Sequence, residues 1–425
     1  METSYKYSIV IPTCNRWTTL PAAVDSALAL GKDVEVIVSV NGFADQYKRY
    51  MSFLGHRTEI ERLKVSYTDS LLSMLDNFEL GVSQASGEYV TCIGYDDAMV
   101  PSARKLCDQH FELNPLMPLA WYRKAYFWDS ASYLKSNLFV EKPKIRQNIS
   151  RQSKLEELRE ESVHYNDLPS FYNTFHPNKY LMHLRKINND LFASETIFPN
   201  KDALAPDVFS AVQNIYCMET DYTLAGYPVS LSGISQASNG ANFLNSDATR
   251  RKFAQESQIG SIREYCKKFL VASDSMQMFN GTIHAFTHKL YTPLTNSSWQ
   301  PSESWIENLC QACIHCEAHS YPLNSIDFIK LARQYNVYPK SLDALKQIYR
   351  DGFETTKTDT MKTETLNTAL ESRETIPTHN EDDQRGYDIS KHALNSFQAA
   401  LLYEDIANPA KTLYNDNTQY FAYGS

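Results

Sequence analysis

Two carboxylates, Asp96 and Asp97, are adjacent in TCIGYDDAMVP (91–101), after a run of small and β-branched residues and shortly before Pro101. Like charges at this spacing repel each other unless a cation or hydrogen-bond donors hold them. Hard divalent cations such as Mg2+ and Mn2+ take carboxylate oxygens and complete their shell with water and substrate phosphate oxygens. The pair therefore suits a metal-assisted site for a phosphorylated ligand. One acid would touch the metal and its neighbour would bond a sugar hydroxyl. The competing reading is a solvated turn, where aspartate is common.

The elements around the pair decide between these readings. YSIVIP (7–12) is a short apolar run closed by proline, the pattern of a buried strand. In the next segment Leu20, Val24, Ala27 and Leu28 share one helical face, and Gly31 follows as a stop. DVEVIVSV (33–40), RLKVSYT (62–68) and EYVTCIG (88–94) read as further strands, with helices around DQYKRYMSFL and over LLSMLDNFELGVSQA. Alternating strands and helices over this span predict an α/β fold with a mostly parallel sheet. Ligands of such sheets bind beyond the carboxyl ends of the strands. Three polar clusters fall there, TCNR (13–16), SVNG (39–42) and YDD (95–97), and they are expected to converge.

The chain of 425 residues exceeds one ordinary core and implies two or three domains. Its net charge of −9 argues against a nucleic-acid partner. No apolar run reaches the ~18–20 residues of a membrane span, and the first residues lack the basic and apolar regions of a signal peptide. A cytoplasmic setting is expected, with peripheral docking on the inner membrane face left open by an aromatic content of 12%. The eight cysteines are then expected as reduced thiols. Cys310, Cys313 and Cys316, with His315 and His319 nearby, have a spacing that metals can use, but on a helix they share a face and pack as small hydrophobes, which is the preferred reading.

Further along, 102–143 reads as a helix followed by aromatic strands, 144–165 as charged and helical or loose, and 166–240 as mixed strand and loop. From about 250 the pattern turns mostly helical, and the Thr-rich, charged stretch 354–386 reads as a flexible linker. The expected division is 1–245 as the α/β domain, 246–353 as a helical region, 354–386 as the linker and 387–425 as a helical tail.

Four of these segments, in order, carry a resemblance to family 2 glycosyltransferases of the GT-A fold. YSIVIPTCNRW resembles the family's opening strand with its Pro-Thr-x-Asn-Arg. VEVIVSVNG is similar to its second strand, and LLSMLDNFEL to its Asn-bearing helix. SGEYVTCIGYDD resembles its fourth strand and acidic motif, which in one branch reads Gly-Asp-Asp-Asp. The resemblance covers 5–101, is fainter over 166–240 and stops near 250. It implies inverting transfer of a sugar from a nucleotide-diphosphate donor, a UDP-sugar in the first instance, to a glycan or lipid-linked acceptor, as in polysaccharide biosynthesis. It further implies that Pro12 and Thr13 lie beside the nucleoside, that Asp96 bonds the ribose or donor sugar, and that Asp97 holds Mn2+ or Mg2+ on the diphosphate. Asn15, Arg16 and Asn77 match its motif positions and join the expected nucleotide-sugar contacts, Arg16 reading equally as a phosphate contact or as the partner of a surface acid.

The chain departs from the pattern at two places. Val40 stands where the family has a base-binding acid, so Ser39, Asn41 or backbone groups would take that role. Tyr95 stands where the branch has its first acid. Transfer to a hydroxyl also needs a base. Asp207 in ALAPDVFSAV resembles a Pro-Asp-Val segment of the branch, and it would equally cap the helix that follows. Glu195, Asp202 and Asp221 are the rivals. Ser235, Ser238 and Asn239 in GISQASNG read either as acceptor or phosphate contacts or as a polar turn. His176, His183 and Trp17 read as structural. A nucleotidyltransferase is disfavoured because IPTCNRWTT has no glycine for a phosphate loop. A degenerate GT-A domain serving as a binding scaffold is the alternative that Val40 and Tyr95 support.

Overall fold

The structure is a computed structural model describing residues 5–14, 17–42, 44–68, 70–122, 126–128, 138–141, 146–159, 168–199, 205–234, 287–295 and 384–387, together with 398, 400, 401 and 403. The chain opens β1 (Tyr7–Thr13), α1 (Leu20–Leu28), β2 (Val34–Val40), α2 (Ala44–Leu54), β3 (Leu63–Tyr67), α3 (Met74–Ser83) and β4 (Tyr89–Cys92). It continues with β5 (Ala98–Met99), α4 (Ala103–Leu113), β6 (Leu119–Trp121), β7 (Tyr126–Trp128), β8 (Leu138–Glu141), β9 (Gln147–Ile149) and α5 (Arg151–Arg159). Then follow β10 (Thr174–Pro177), α6 (Asn178–Phe192), α7 (Pro206–Cys217), β11 (Tyr222–Ala225), β12 (Ser230–Ile234) and β13 (Gln384–Tyr387). One sheet runs β3-β2-β1-β4-β10-β6-β11-β9, and a second runs β13-β8-β7-β12-β5. β1 is parallel to β2 and β4, and β2 to β3, so these four strands end at one edge, as the sequence pattern predicts.

Both faces of the large sheet are covered, which is why its strands are apolar almost throughout. Ile9, Ile11, Val36, Val38 and Val40 pack with α1, α2 and α4. Val10, Ile37, Val90 and Cys92 pack with α3, α6 and α7 on the other face. α3 begins at Ser73, whose Oγ accepts the Asp76 N–H at 3.1 Å, the local cap a serine supplies to an otherwise unpaired helix donor.

Three parts differ from the sequence pattern. The span 166–240 contains two long helices, α6 and α7, besides its short strands. In α6 the buried Leu181, Leu184 and Asn188 recur at helical spacing, and packing overrides the modest propensities of Tyr, His and Asn. Gln384–Tyr387, across the boundary between the expected linker and the expected helical tail, is a strand that pairs antiparallel with β8. Segments beyond 245 also join the cores of the N-terminal domain. Tyr291 is buried between α6 and α7, accepting from Gln213 at 2.5 Å and donating to Asn188 at 2.8 Å, and Tyr403 packs on Tyr227. Among the described residues no helix is long and apolar enough to cross a membrane, and Cys14, Cys92, Cys107 and Cys217 are free thiols. The Cys310–Cys316 cluster lies outside the described residues.

At the edge opposite the acidic pair, Glu35 is fully buried on β2. Its Oε1 accepts from Ser8 Oγ at 2.6 Å, Ser86 N at 2.6 Å and Gly87 N at 3.1 Å, and its Oε2 meets Lys64 Nζ at 2.7 Å. Burial alone would raise this carboxyl, but the hydrogen bonds from Lys64, Ser8 and Ser86 outweigh it and hold it below the usual range. One side chain thereby joins β1, β2, β3 and the turn into β4. Glu35→Ala is expected to cost about 3–5 kcal/mol in urea unfolding, because it strands buried donors. The sign of the pH effect follows from the depressed folded-state value. The contribution is complete above the unfolded carboxyl value, about 4.3, and is lost as pH falls through the lower folded value. Acid unfolding of Glu35→Gln should accordingly show a flatter slope below about pH 4.3 than the parent.

Candidate active site

The carboxyl ends of β1, β2 and β4 bring the three polar clusters to one edge. After β4 the chain turns at Gly94 and Tyr95 and presents Asp96 and Asp97, which are only 9% and 8% exposed. Asp97 Oδ2 accepts the Gly94 N–H at 2.6 Å, closing the turn, and Asp97 Oδ1 accepts the Gly233 N–H at 2.8 Å. The second contact comes from β12, which also pairs with β5 directly after the acids. Gly233 lies against the acidic turn so closely that a Cβ there would sit 1.7 Å from the Asp96 carbonyl oxygen. Tyr95 packs its ring on the apolar cluster under α1 and α2.

The expected nucleoside contacts form a buried polar knot behind this edge. Thr13 Oγ1 lies 2.9 Å from the Tyr50 hydroxyl of α2. Ser39 Oγ donates to Asn77 Oδ1 at 2.7 Å, and Asn77 Nδ2 reaches the carbonyls of Ser39 at 3.3 Å and Thr13 at 3.4 Å. Asn41 makes a two-point amide pair with Leu72, donating to its carbonyl and accepting from its N–H, each at 2.8 Å. Thr13, Ser39, Asn41 and Asn77 are all buried, and Pro12 is buried in β1. These polar side chains fix the strand ends and the β3–α3 loop. Val40 is fully buried in the apolar cluster with Leu20 and Tyr50, so an acid at this position would face the core. Asn15 and Arg16 lie outside the described residues.

Asp207 stands in the first turn of α7 and is half-buried. It follows Ala205, whose φ of 54° is left-handed, a conformation costing a non-glycine residue about 1–3 kcal/mol. A backbone relay ties this helix start to the acidic strand. Phe171 N–H donates to Ser210 Oγ at 3.1 Å, and the Phe171 carbonyl accepts the Cys92 N–H at 2.9 Å. Of the rivals, Glu195 is exposed, Asp221 accepts the Arg151 N–H at 2.9 Å at the start of α5, and Asp202 lies outside the described residues, as do Ser235, Ser238 and Asn239. His176 is fully buried beside Asn214, and burial pushes it down to about 3, so it stays neutral. His183 lies 3.7 Å from Glu219, and Trp17 packs edge-on against Tyr50 beneath Arg49.

Among the described residues no group of three or more His, Cys, Asp or Glu side chains forms a closed metal cage. The donor set is instead two hard carboxylates on one turn, which fits a divalent cation completed by water and phosphate oxygens. Sequence reasoning missed Gly233 and Tyr50. The first had a signal in the glycine opening GISQASNG, since a strand glycine marks close backbone approach; the second had none.

Residues 8–164 match the model of the Glycosyl transferase family 2, from β1 through the acidic turn to beyond α5. With the sheet topology, this makes the matched segment a glycosyltransferase domain with an α/β fold of the GT-A type. Among solved structures, residues 1–349 of S. aureus TarS in complex with UDP-GlcNAc are 15% identical, covering 82% of this chain and 92% of that one at a TM-score of 0.44. A second structure of TarS 1–349 is 14% identical, with the same coverage and a TM-score of 0.42. A structure of TarS is 15% identical, covering 80% of this chain and 50% of that one at a TM-score of 0.40. These likenesses are remote, and no curated protein matches the chain.

Gly233→Ala is expected to force the acidic turn out of place. Displacements near 1 Å at a reacting centre cost about 10²-fold, so turnover should fall at least that far while the far-ultraviolet circular dichroism spectrum keeps its shape.

Proposed function

We propose that the chain transfers a glycosyl group from a nucleotide-diphosphate sugar to a hydroxyl of a glycan or lipid-linked acceptor, with inversion at the anomeric carbon. The observation that carries the reading is the Asp96–Asp97 turn, built beyond the carboxyl edge of the parallel strands and anchored from β12. The family match over 8–164 supports the reaction class. In this reading Asp97 and the donor diphosphate would hold Mn2+ or Mg2+. When bound, such an ion neutralises charge on the departing diphosphate. Asp96 binds the donor sugar or ribose hydroxyls through its carboxylate.

Asp207 serves as the base. Its carboxylate takes the proton from the acceptor hydroxyl as that oxygen attacks C1. The C1–oxygen bond to the diphosphate breaks on the opposite face. Pro12, Thr13, Ser39, Asn41 and Asn77 set the strand ends against which the nucleoside lies, and Asn15 and Arg16, outside the described residues, would join the donor contacts, Arg16 toward the phosphates. The setting that fits is the cytoplasmic side, where nucleotide sugars are made, with docking at a membrane face for lipid-linked acceptors.

A panel of nucleotide sugars with Mn2+, read by release of the nucleoside diphosphate, tests the reading. Hydrolysis or transfer with at least one donor is expected; silence and absence of nucleotide binding across the panel would refute it. Asp97→Ala should lower metal-dependent turnover by about 10²–10³-fold, and retained activity would remove the metal role. Asp207→Asn should cut transfer to acceptor by about 10²–10⁴-fold with donor binding intact. Near-normal turnover in that variant would place the base elsewhere.

A further inference from the structure

Val40 turns its side chain into the core, and Asn41 and Ser39 are engaged with the scaffold. Another group must hold the nucleobase. The candidate lies one strand further out. Tyr67 ends β3 and is in register with Val40 on the neighbouring strand, so both side chains project to the same face of the sheet. Its ring stacks on Tyr47 of α2, with centroids 4.2 Å apart and planes 26° from parallel. Tyr67 nevertheless remains 43% exposed, one of the few large apolar side chains so open among the described residues. The Asn41–Leu72 amide pair fixes the loop that leaves Tyr67, so the ring stands on a held backbone at both ends.

We propose that Tyr67, backed by Tyr47, is the platform on which the nucleobase of the donor stacks. The strand order supports this occupant. From the edge inward the order is β3, β2, β1, β4, with Tyr67 ending the first and the acidic turn following the last. Three interstrand spacings amount to about 14 Å, the reach of an extended nucleoside diphosphate whose phosphates lie at Asp97. The diphosphate and ribose then cross the ends of β1 and β2, where Thr13 and Asn41 stand. The acceptor half, with α7 and Asp207, follows on the other side of β4, so a glycan acceptor has no reason to extend to β3. Every base has a π face, so such a platform supplies affinity without strong choice among bases.

The inference rests on the glycosyl-transfer reading, and the experiment separates the two. The full chain with Mn2+ is titrated calorimetrically with UDP and, separately, with inorganic pyrophosphate. Tyr67→Ala is expected to weaken UDP by about ten- to a hundredfold, the range of one lost stacking contact. Pyrophosphate affinity should stay within about twofold. Tyr67→Phe, which keeps the ring, should restore UDP binding, and the melting temperature of all three proteins should agree. UDP affinity unchanged in Tyr67→Ala, or UDP and pyrophosphate affinities falling together, would overturn the platform while leaving the enzyme reading in place. Absence of binding by UDP, GDP, ADP and CDP to the parent chain would overturn both.

Discussion

The Asp97 carboxylate is the joint on which the rest of the site depends. One oxygen accepts from Gly94 within its own turn, and the other accepts from Gly233, which lies 136 residues further along the chain. A nearly buried carboxylate keeps its place only if its oxygens are satisfied. Here one N–H belongs to the turn that follows β4 of the large sheet and the other to β12 of the small one, so the same bonds that orient the acid also fasten the small sheet to that turn. The remaining strands of the small sheet extend that fastening outward, through β7 and β8 to β13 near the end of the chain. A feature of a few residues in the N-terminal domain is thus completed by strands that arrive much later.

The strand ends are held by a second set of bonds with a different logic. Asn77 reaches from α3 to both β1 and β2, Thr13 meets Tyr50 of α2, and Asn41 grips the backbone at Leu72. Each of these groups is a short polar side chain in a buried position, where an unpaired donor or acceptor costs about 1–3 kcal/mol. Pairing them with one another leaves the strand ends rigid. It also joins α2, α3 and the β3–α3 loop to those strand ends. At the far edge Glu35 does the equivalent task with a charge, gathering Ser8, Ser86, Gly87 and Lys64. The sheet is therefore braced by polar networks at both edges and by apolar packing between them.

The α/β wind was legible because its signals are local. Ile9, Val36 and Val90 sit in short apolar runs bounded by Pro12, Gly42 and Gly94, and Leu20, Val24 and Leu28 recur at helical spacing. The acidic turn was legible for the same reason, since two aspartates after a strand are a local fact. α6 was not. Its Tyr, His and Asn residues carry weak helical preference, and only contact of Leu181 and Leu184 with the sheet settles the matter. β13 had even less signal, because a four-residue strand exists only through its partner on β8.

The sequence by itself determined the fold class, the convergence of three polar clusters at one sheet edge and the identity of the acids there. Periodicity and strand polarity act over a few residues, so they survive without knowledge of the whole. The tertiary structure decided what those polar groups are bonded to. Ser39, Asn41 and Asn77 are seen only in the structure to bond the scaffold at 2.7–3.4 Å, and the Val40 side chain to face the core. Gly233 and Tyr67 acquire their meaning only from neighbours remote in the chain. Hydrogen bonding and exposure are properties of closed networks, and a network is closed only when the last strand has been laid beside the first.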